Sequence, residues 1–307
     1  MFVSFEPLLN FRYLCKANIN KSNFKLTRII ERHVIAVNES QQKMIISGWG
    51  KDALEKSVVE KITYLSDGLK VKGYIAYPKD DSKKYPCIIW CRGGFGNKGA
   101  IDKFTARGMF GHIASLGYCV FTSQYRGNDG SEGRDDFGGD DINDVINLIP
   151  LSDEIPQANK ELWGIEGWSR GGMMTYLSLT RINIFKAAII VGGIADLNCS
   201  SIENSFISKL YEDKIGQVNS LEFLKKCEER SIINFPEKLS AGTILLLIHG
   251  TADERVPTSN SIDLSKKLIE LNRTFRLVLL EGGDHFLKSH RKEIDEMRKS
   301  WFGKYLK

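Results

Sequence analysis

From about Val58 onward, short runs of β-branched and aliphatic residues alternate with longer stretches whose apolar residues recur at helical spacing. The runs are VVEKITYLS, LKVKGYIAYP, YPCIIWC, GYCVFTSQYR, ELWGIEGW, FKAAIIVGG, GTILLLIHG and TFRLVLLEG. The first two alternate polar with apolar positions and are joined through Asp67-Gly68, which predicts an antiparallel hairpin at a sheet edge. The later runs are almost continuously apolar, as expected of central parallel strands covered on both faces. Leu264, Leu268 and Leu271, after Pro257, keep helical spacing, as do Ile294, Met297 and Trp301 near the C-terminus. Strand, helix, strand repeated in this way predicts an α/β fold, a mostly parallel sheet with helices on both faces. Two parts stand outside the repeat: residues 1–57 show no clear period and read as an N-terminal extension, and about 195–240 reads as a partly helical insertion within a domain spanning 58–307.

Composition adds little to this picture. At 307 residues, 42% hydrophobic and 26% charged, the chain is long and apolar enough for a sizeable core. The net charge of +5 comes from lysines and arginines spread along the sequence without a basic block, which argues against a nucleic-acid partner. The six cysteines (Cys15, Cys87, Cys91, Cys119, Cys199, Cys227) form no CxxC pair and read as reduced residues of a cytoplasmic protein, neither a disulfide framework nor a metal site. The opening MFVSFEPLLNFRYLCK is apolar, but Glu6, Pro7 and Arg12 interrupt it and no small-residue cleavage site follows, so neither a signal peptide nor a membrane partner is expected.

One stretch carries chemistry. In LWGIEGWSRGGMM, Ser169 stands between glycines, after an apolar run and before a helical pattern. A GxSxG match alone is weak. After a strand and before a helix, however, it describes a sharp turn that holds a hydroxyl above the sheet edge. A nucleophilic serine needs a base, and the base needs an orienting acid. Of the five histidines, His285 in LLEGGDHF follows a strand in a glycine-rich loop, whereas His33, His112, His249 and His290 sit where structural roles are expected. Asp253 in HGTADERVP supplies the acid, with Asp196 the stronger rival and Glu254 and Asp284 the weaker ones. The order Ser169, Asp253, His285, each in a loop after a strand, is the chain order of hydrolase triads on α/β sheets.

An oxyanion would be met by the N–H of Arg170 and by the N–H of Gly94 in CRGGFGNKG, with Phe95 as near neighbour. That loop lacks the GK[ST] ending of a nucleotide-binding loop. The acidic stretch GNDGSEGRDDFGGDDINDV lacks calcium-loop spacing and reads as a solvated loop followed by a helix N-cap. No metal or organic cofactor is expected.

Taken together, ITYLSDGLKVKGYIAYP, RGG, QYRGNDGSEG, GWSRGG, HGTADERVP and GGDHF resemble, in order, the catalytic domain of the prolyl oligopeptidase family (peptidase family S9) of α/β-hydrolases. The resemblance runs from about Ile62 to the C-terminus. It implies an α/β-hydrolase fold, serine peptidase activity on short peptides, and the roles above for Ser169, Asp253, His285, Gly94 and the N–H of Arg170. The chain departs from the family pattern at Arg92, where histidine is usual, and at Arg170, where tyrosine is usual. Residues 1–57 are too few for the β-propeller common in family peptidases. That leaves open a carboxylesterase acting on small acyl esters and, from another class, a non-catalytic binding protein on the same fold. Phe95, Trp168, Arg170 and the insertion are the candidates for shaping specificity, and residues 1–57 for covering the site or for self-association into a homo-oligomer.

Overall fold

The computed structural model describes residues 27–197 and 205–307, apart from the side chains of 205–208. Cys15, Cys199, the apolar N-terminal stretch and part of the insertion lie outside the described residues. One sheet holds β1 (Ile29–Val34), β2 (Ser57–Ser66), β3 (Leu69–Pro78), β4 (Tyr85–Cys91), β5 (Cys119–Ser123), β6 (Ala158–Trp168), β7 (Phe185–Val191), β8 (Ile244–Gly250) and β9 (Phe275–Leu280). Their order in space is β1-β2-β3-β5-β4-β6-β7-β8-β9. The pairings from β1 to β5 are antiparallel, and those from β5 through β4 to β9 are parallel.

The unbroken apolar runs follow from burial on both faces of the parallel part. Cys87, Ile89, Phe121, Leu245 and Leu247 point into one core layer, which also holds Leu264 and Leu268 of the helix Ser259–Glu270 and Met173, Met174 and Leu177 of the helix Arg170–Arg181. Ile88, Val120, Ile189, Leu246 and Ile248 point into the other, against Ile294, Trp301 and Phe302 of the helix Arg291–Tyr305. Each such fully buried Leu, Ile or Phe contributes on the order of 1.5–3 kcal/mol of transfer free energy.

At the antiparallel end, Asp67 and Gly68 take φ of 50° and 81°, the two left-handed positions of a tight hairpin turn between β2 and β3. This hairpin is not the sheet edge. β1 lies outside it and comes from the segment read as a separate extension, so among the described residues a boundary at 57 divides no unit. The period was hidden because the helix Glu39–Trp49 buries only Ile45, while Met44 and Ile46 are exposed. Its start was marked nonetheless: Asn38 accepts from the Gln41 N–H and Gln41 accepts from the Asn38 N–H, a capping box.

The insertion contains the helices Ser205–Lys214 and Leu221–Arg230. Among the described residues no helix is long and apolar enough to cross a membrane. Strand order reverses around β4: β5 pairs on one side and β6 on the other. The loops leaving the C-terminal ends of β4 and β6 therefore come together, the place where such sheets present ligand sites.

Candidate active site

Ser169 follows β6 directly and has φ 58° and ψ −123°, left-handed backbone on a non-glycine residue. Such strain, of order 1–3 kcal/mol, persists only where the surroundings enforce it. Here glycines allow the enforcement. A Cβ on Gly171 would stand 2.0 Å from the Cys91 carbonyl oxygen, and one on Gly167 2.0 Å from the Gly171 carbonyl oxygen. The turn is thus pressed against the end of β4, and the Ser169 N–H is tied to the Val191 carbonyl at 2.9 Å.

The Ser169 hydroxyl lies 3.0 Å from His285 Nε2. His285 Nδ1 lies 2.8 Å from Asp253 Oδ2 and 3.0 Å from Oδ1. A carboxylate only accepts, so Nδ1 carries the proton and Nε2 is left to accept from the serine hydroxyl. Asp253 and His285 are both buried. Burial alone would raise the Asp253 pKa. Hydrogen bonds from His249, His285 and the Val256 N–H outweigh it and hold the carboxyl well below the usual carboxylate range. The Trp168 indole N–H donates to the His285 carbonyl at 3.1 Å, fixing the histidine loop to the serine turn.

The rivals fall elsewhere. The Asp196 N–H donates to Asn260 Oδ1, and its carboxyl is half-buried, with its pKa raised by burial. Asp284 accepts from the N–H groups of Phe286 and Leu287, bracing the turn that follows His285, and Glu254 is exposed. His33 is exposed on β1, His112 pairs with Asp295 at 2.9 Å, and His290 lies beside Ser289. His249 is the contributor that sequence reasoning missed. It is fully buried, with Nε2 2.9 Å from the Val256 carbonyl and 3.4 Å from Asp253 Oδ2, so that Nε2–H faces the acid from behind while Nδ1 accepts from Ser261. Its signal was four-residue spacing from Asp253, too common to read alone.

On the other side of Ser169, among the described residues neither the Gly94 nor the Arg170 N–H donates to a protein acceptor. Arg170 opens its helix, where N–H groups lack helical partners. The Phe95 N–H donates to the Lys98 carbonyl at 2.9 Å, so that neighbour is engaged. Phe95 and Trp168 are half-buried.

Two expectations require correction. The Arg170 side chain cannot line a substrate site, since it is 1% exposed and turned inward. Its Nη2 bonds to Asp135 Oδ1 at 2.5 Å and Asp141 Oδ2 at 2.5 Å, and its Nη1 to Asp135 Oδ2 at 3.0 Å and the Gly94 carbonyl at 3.2 Å. Nor is the acidic stretch solvated throughout: Glu132 and Asp140 are exposed, but three of its carboxylates are not. Asp135, Asp141 and Asp144 are buried: the first two hold Arg170, and Asp144 pairs with Arg126 at 2.8 Å. The expected N-cap bond is also absent, because Asp141 Oδ1 instead accepts from the Gly138 N–H. Burial opposes ionisation of Asp135, but the Arg170 charge and the N–H groups of Gly96 and Phe137 hold its pKa down at about 2. Asp141 is pushed up by burial despite Arg170. Among the described residues no cluster of three or more histidine, cysteine or acidic side chains could hold a metal ion.

A sequence profile of the prolyl oligopeptidase family matches residues 106–307. A Bacillus subtilis protein named "Uncharacterized peptidase YtmA" is 32% identical over 213 residues, covering 69% of this chain and 80% of its own. A second Bacillus subtilis protein, "Uncharacterized peptidase YuxL", is 28% identical over 274 residues, covering 81% of this chain and 39% of its own. Among solved structures, an acylaminoacyl peptidase in complex with Z-Gly-Gly-Phe-chloromethyl ketone superposes with a TM-score of 0.70 at 25% identity, covering 82% of this chain and 42% of that one. The chain therefore spans less than half the length of the second relative and of the solved structure.

Proposed function

This chain belongs to the prolyl oligopeptidase family of serine peptidases, built on the α/β-hydrolase fold, and from that premise we propose that it cleaves short peptides by acyl transfer through Ser169. The observation that carries the proposal is the unbroken hydrogen-bonded line Ser169–His285–Asp253 at the C-terminal edge of the sheet. His285 Nε2 takes the hydroxyl proton as Oγ attacks the scissile carbonyl. Asp253 stabilises the imidazolium that forms, and His285 returns the proton to the leaving amine. A water activated by His285 then hydrolyses the acyl-enzyme. The N–H groups of Gly94 and Arg170 receive the oxyanion, a contribution of about 3–4 kcal/mol for a single such donor.

Relatives named as peptidases favour an amide substrate, and the name of the solved acylaminoacyl peptidase favours one with a blocked amino terminus. The buried charges agree with a blocked terminus. Asp135 and Asp141, the carboxylates bonded to Arg170 behind the Gly94 loop, are engaged by its guanidinium and are not offered to a substrate ammonium. Among the described residues Cys87, Cys91 and Cys119 are buried and free of disulfides, which supports a reducing compartment such as the cytoplasm.

The test is turnover of an acetyl-aminoacyl p-nitroanilide, the free aminoacyl p-nitroanilide and a p-nitrophenyl acyl ester, by wild type and Ser169→Ala. We expect wild type to cleave the blocked anilide fastest of the two anilides and the variant to cleave neither. Ester hydrolysis without anilide hydrolysis would make the protein an esterase, and no turnover of any of the three would favour a binding protein.

A further inference from the structure

We propose that the buried guanidinium of Arg92 is the positioning group that aims the Gly94 N–H at the oxyanion; this rests on the acyl-transfer reading of Ser169. The loop that carries Gly94 cannot hold its own shape. It contains Gly93, Gly94, Gly96 and Gly99, and the last three take positive φ of 72°, 52° and 86°. Glycine crosses between such conformations at little cost, so a loop of this composition needs outside restraint to present one N–H in one direction.

Arg92 supplies that restraint at the decisive peptide. In a planar trans peptide the carbonyl of one residue and the N–H of the next point in opposite directions, so fixing one aims the other. Arg92 Nη1 donates to the Gly93 carbonyl at 3.2 Å. That carbonyl shares its peptide plane with the Gly94 N–H. Nη2 reaches the Gly96 carbonyl at 3.1 Å, so one planar fork holds the loop on both sides of Gly94. The fork is itself anchored. Nε and Nη2 both donate to the carbonyl of Gln124, just past β5, at 3.0 and 2.9 Å.

The rest of the loop is held from behind. Arg170 Nη1 takes the Gly94 carbonyl, and Asp135 Oδ2 accepts from the Gly96 N–H at 3.2 Å. Tyr125 ties the two arginines together: its ring centre lies 5.1 Å from the Arg92 guanidinium and 5.0 Å from that of Arg170, and its hydroxyl donates to the Arg92 carbonyl at 3.1 Å. The held loop also touches the nucleophile turn, for a Cβ on Gly93 would stand 2.8 Å from the Trp168 carbonyl oxygen and 3.3 Å from Ser169 Cβ. Arg92 is fully buried, so it contacts no substrate and acts through Gly94.

The experiment measures kcat, KM and the Ki of a boronic acid, which forms a tetrahedral adduct on serine, for wild type, Arg92→Gln and Arg92→Lys. Loss of one oxyanion donor typically lowers kcat about 10²- to 10³-fold, so Arg92→Gln should lower kcat by about that factor, weaken the boronic acid in parallel and leave KM near wild type. Arg92→Lys keeps the charge without the fork and should fall between them. If Arg92→Gln does not fold, Arg92→Lys is judged by the same parallel loss. Unchanged kcat in a folded variant would overturn the proposal, and so would a kcat loss that leaves boronic acid affinity intact or is matched by an equal rise in KM. Failure of the underlying reading looks different: Ser169→Ala would then bind the boronic acid as tightly as wild type, with Arg92 intact in both.

Discussion

On the β7 to β9 side of Ser169 the site is a line of single side chains, each at the end of its own strand; on the β4 to β5 side it is a bare glycine loop held from behind by buried charges. The first side works through the groups it presents. Asp253 and His285 each make two or more hydrogen bonds in fixed directions, and the proposed proton path runs through named atoms. The second presents only backbone, and its side chains Arg92, Tyr125, Asp135, Asp141 and Arg170 are all buried behind it. Damage to the first side should therefore appear in chemistry with the fold intact, and damage to the second in stability as well as chemistry.

The largest effect that separates the sides is expected from Asp253→Asn. It should lower kcat by about 10⁴-fold through loss of the correct imidazole tautomer, with circular dichroism near wild type, while Asp196→Asn should leave kcat near wild type. The reverse pattern would move the acid to Asp196. Next is Arg170→Met, which strands two carboxylates in the interior. Breaking a buried pair from one side costs about 3–5 kcal/mol, to be read from denaturant midpoints. A loss below about 1 kcal/mol would mean that the buried charges do not support the loop.

The smallest effect is one of pH. Asp135 has a folded-state pKa of about 2 against an ordinary value of 3.8, so its ionisation contributes stability that is present above about pH 4 and is lost as pH falls toward 2. Asp135→Asn lacks that titration. The stability gap between wild type and variant should therefore shrink by about 1 kcal/mol between pH 5 and pH 3 in denaturant titrations. A gap that is constant or widens would contradict the ion pair with Arg170. Asp141, pushed up by burial on the same guanidinium, also feels the Asp135 charge, so the comparison is made with Asp141→Asn in both proteins to remove its titration from the difference.

The same contrast governs what the sequence discloses. Ser169, Asp253 and His285 were legible because each sits in a short loop just after an apolar run, and strand order brings such loops to one edge. The α/β repeat was legible because both faces of the central strands are covered. β1 was not, since its residues after Ile29 are exposed and its burial pattern carries no period of two. The charges behind Gly94 were the least legible part. Asp135 and Asp141 read as surface residues because composition cannot tell a solvated carboxylate from one facing a guanidinium contributed by another part of the chain. His249 was misread in part for a related reason: its strand-end position announced a turn, but only the fold shows that the turn leads back to Asp253.

The most direct test of the central claim is covalent labelling with a fluorophosphonate, followed by intact mass measurement and peptide mapping. A single adduct on Ser169, absent from Ser169→Ala, is the expected result. An unlabelled but folded wild-type protein, or an adduct on another residue that persists in Ser169→Ala, would contradict it.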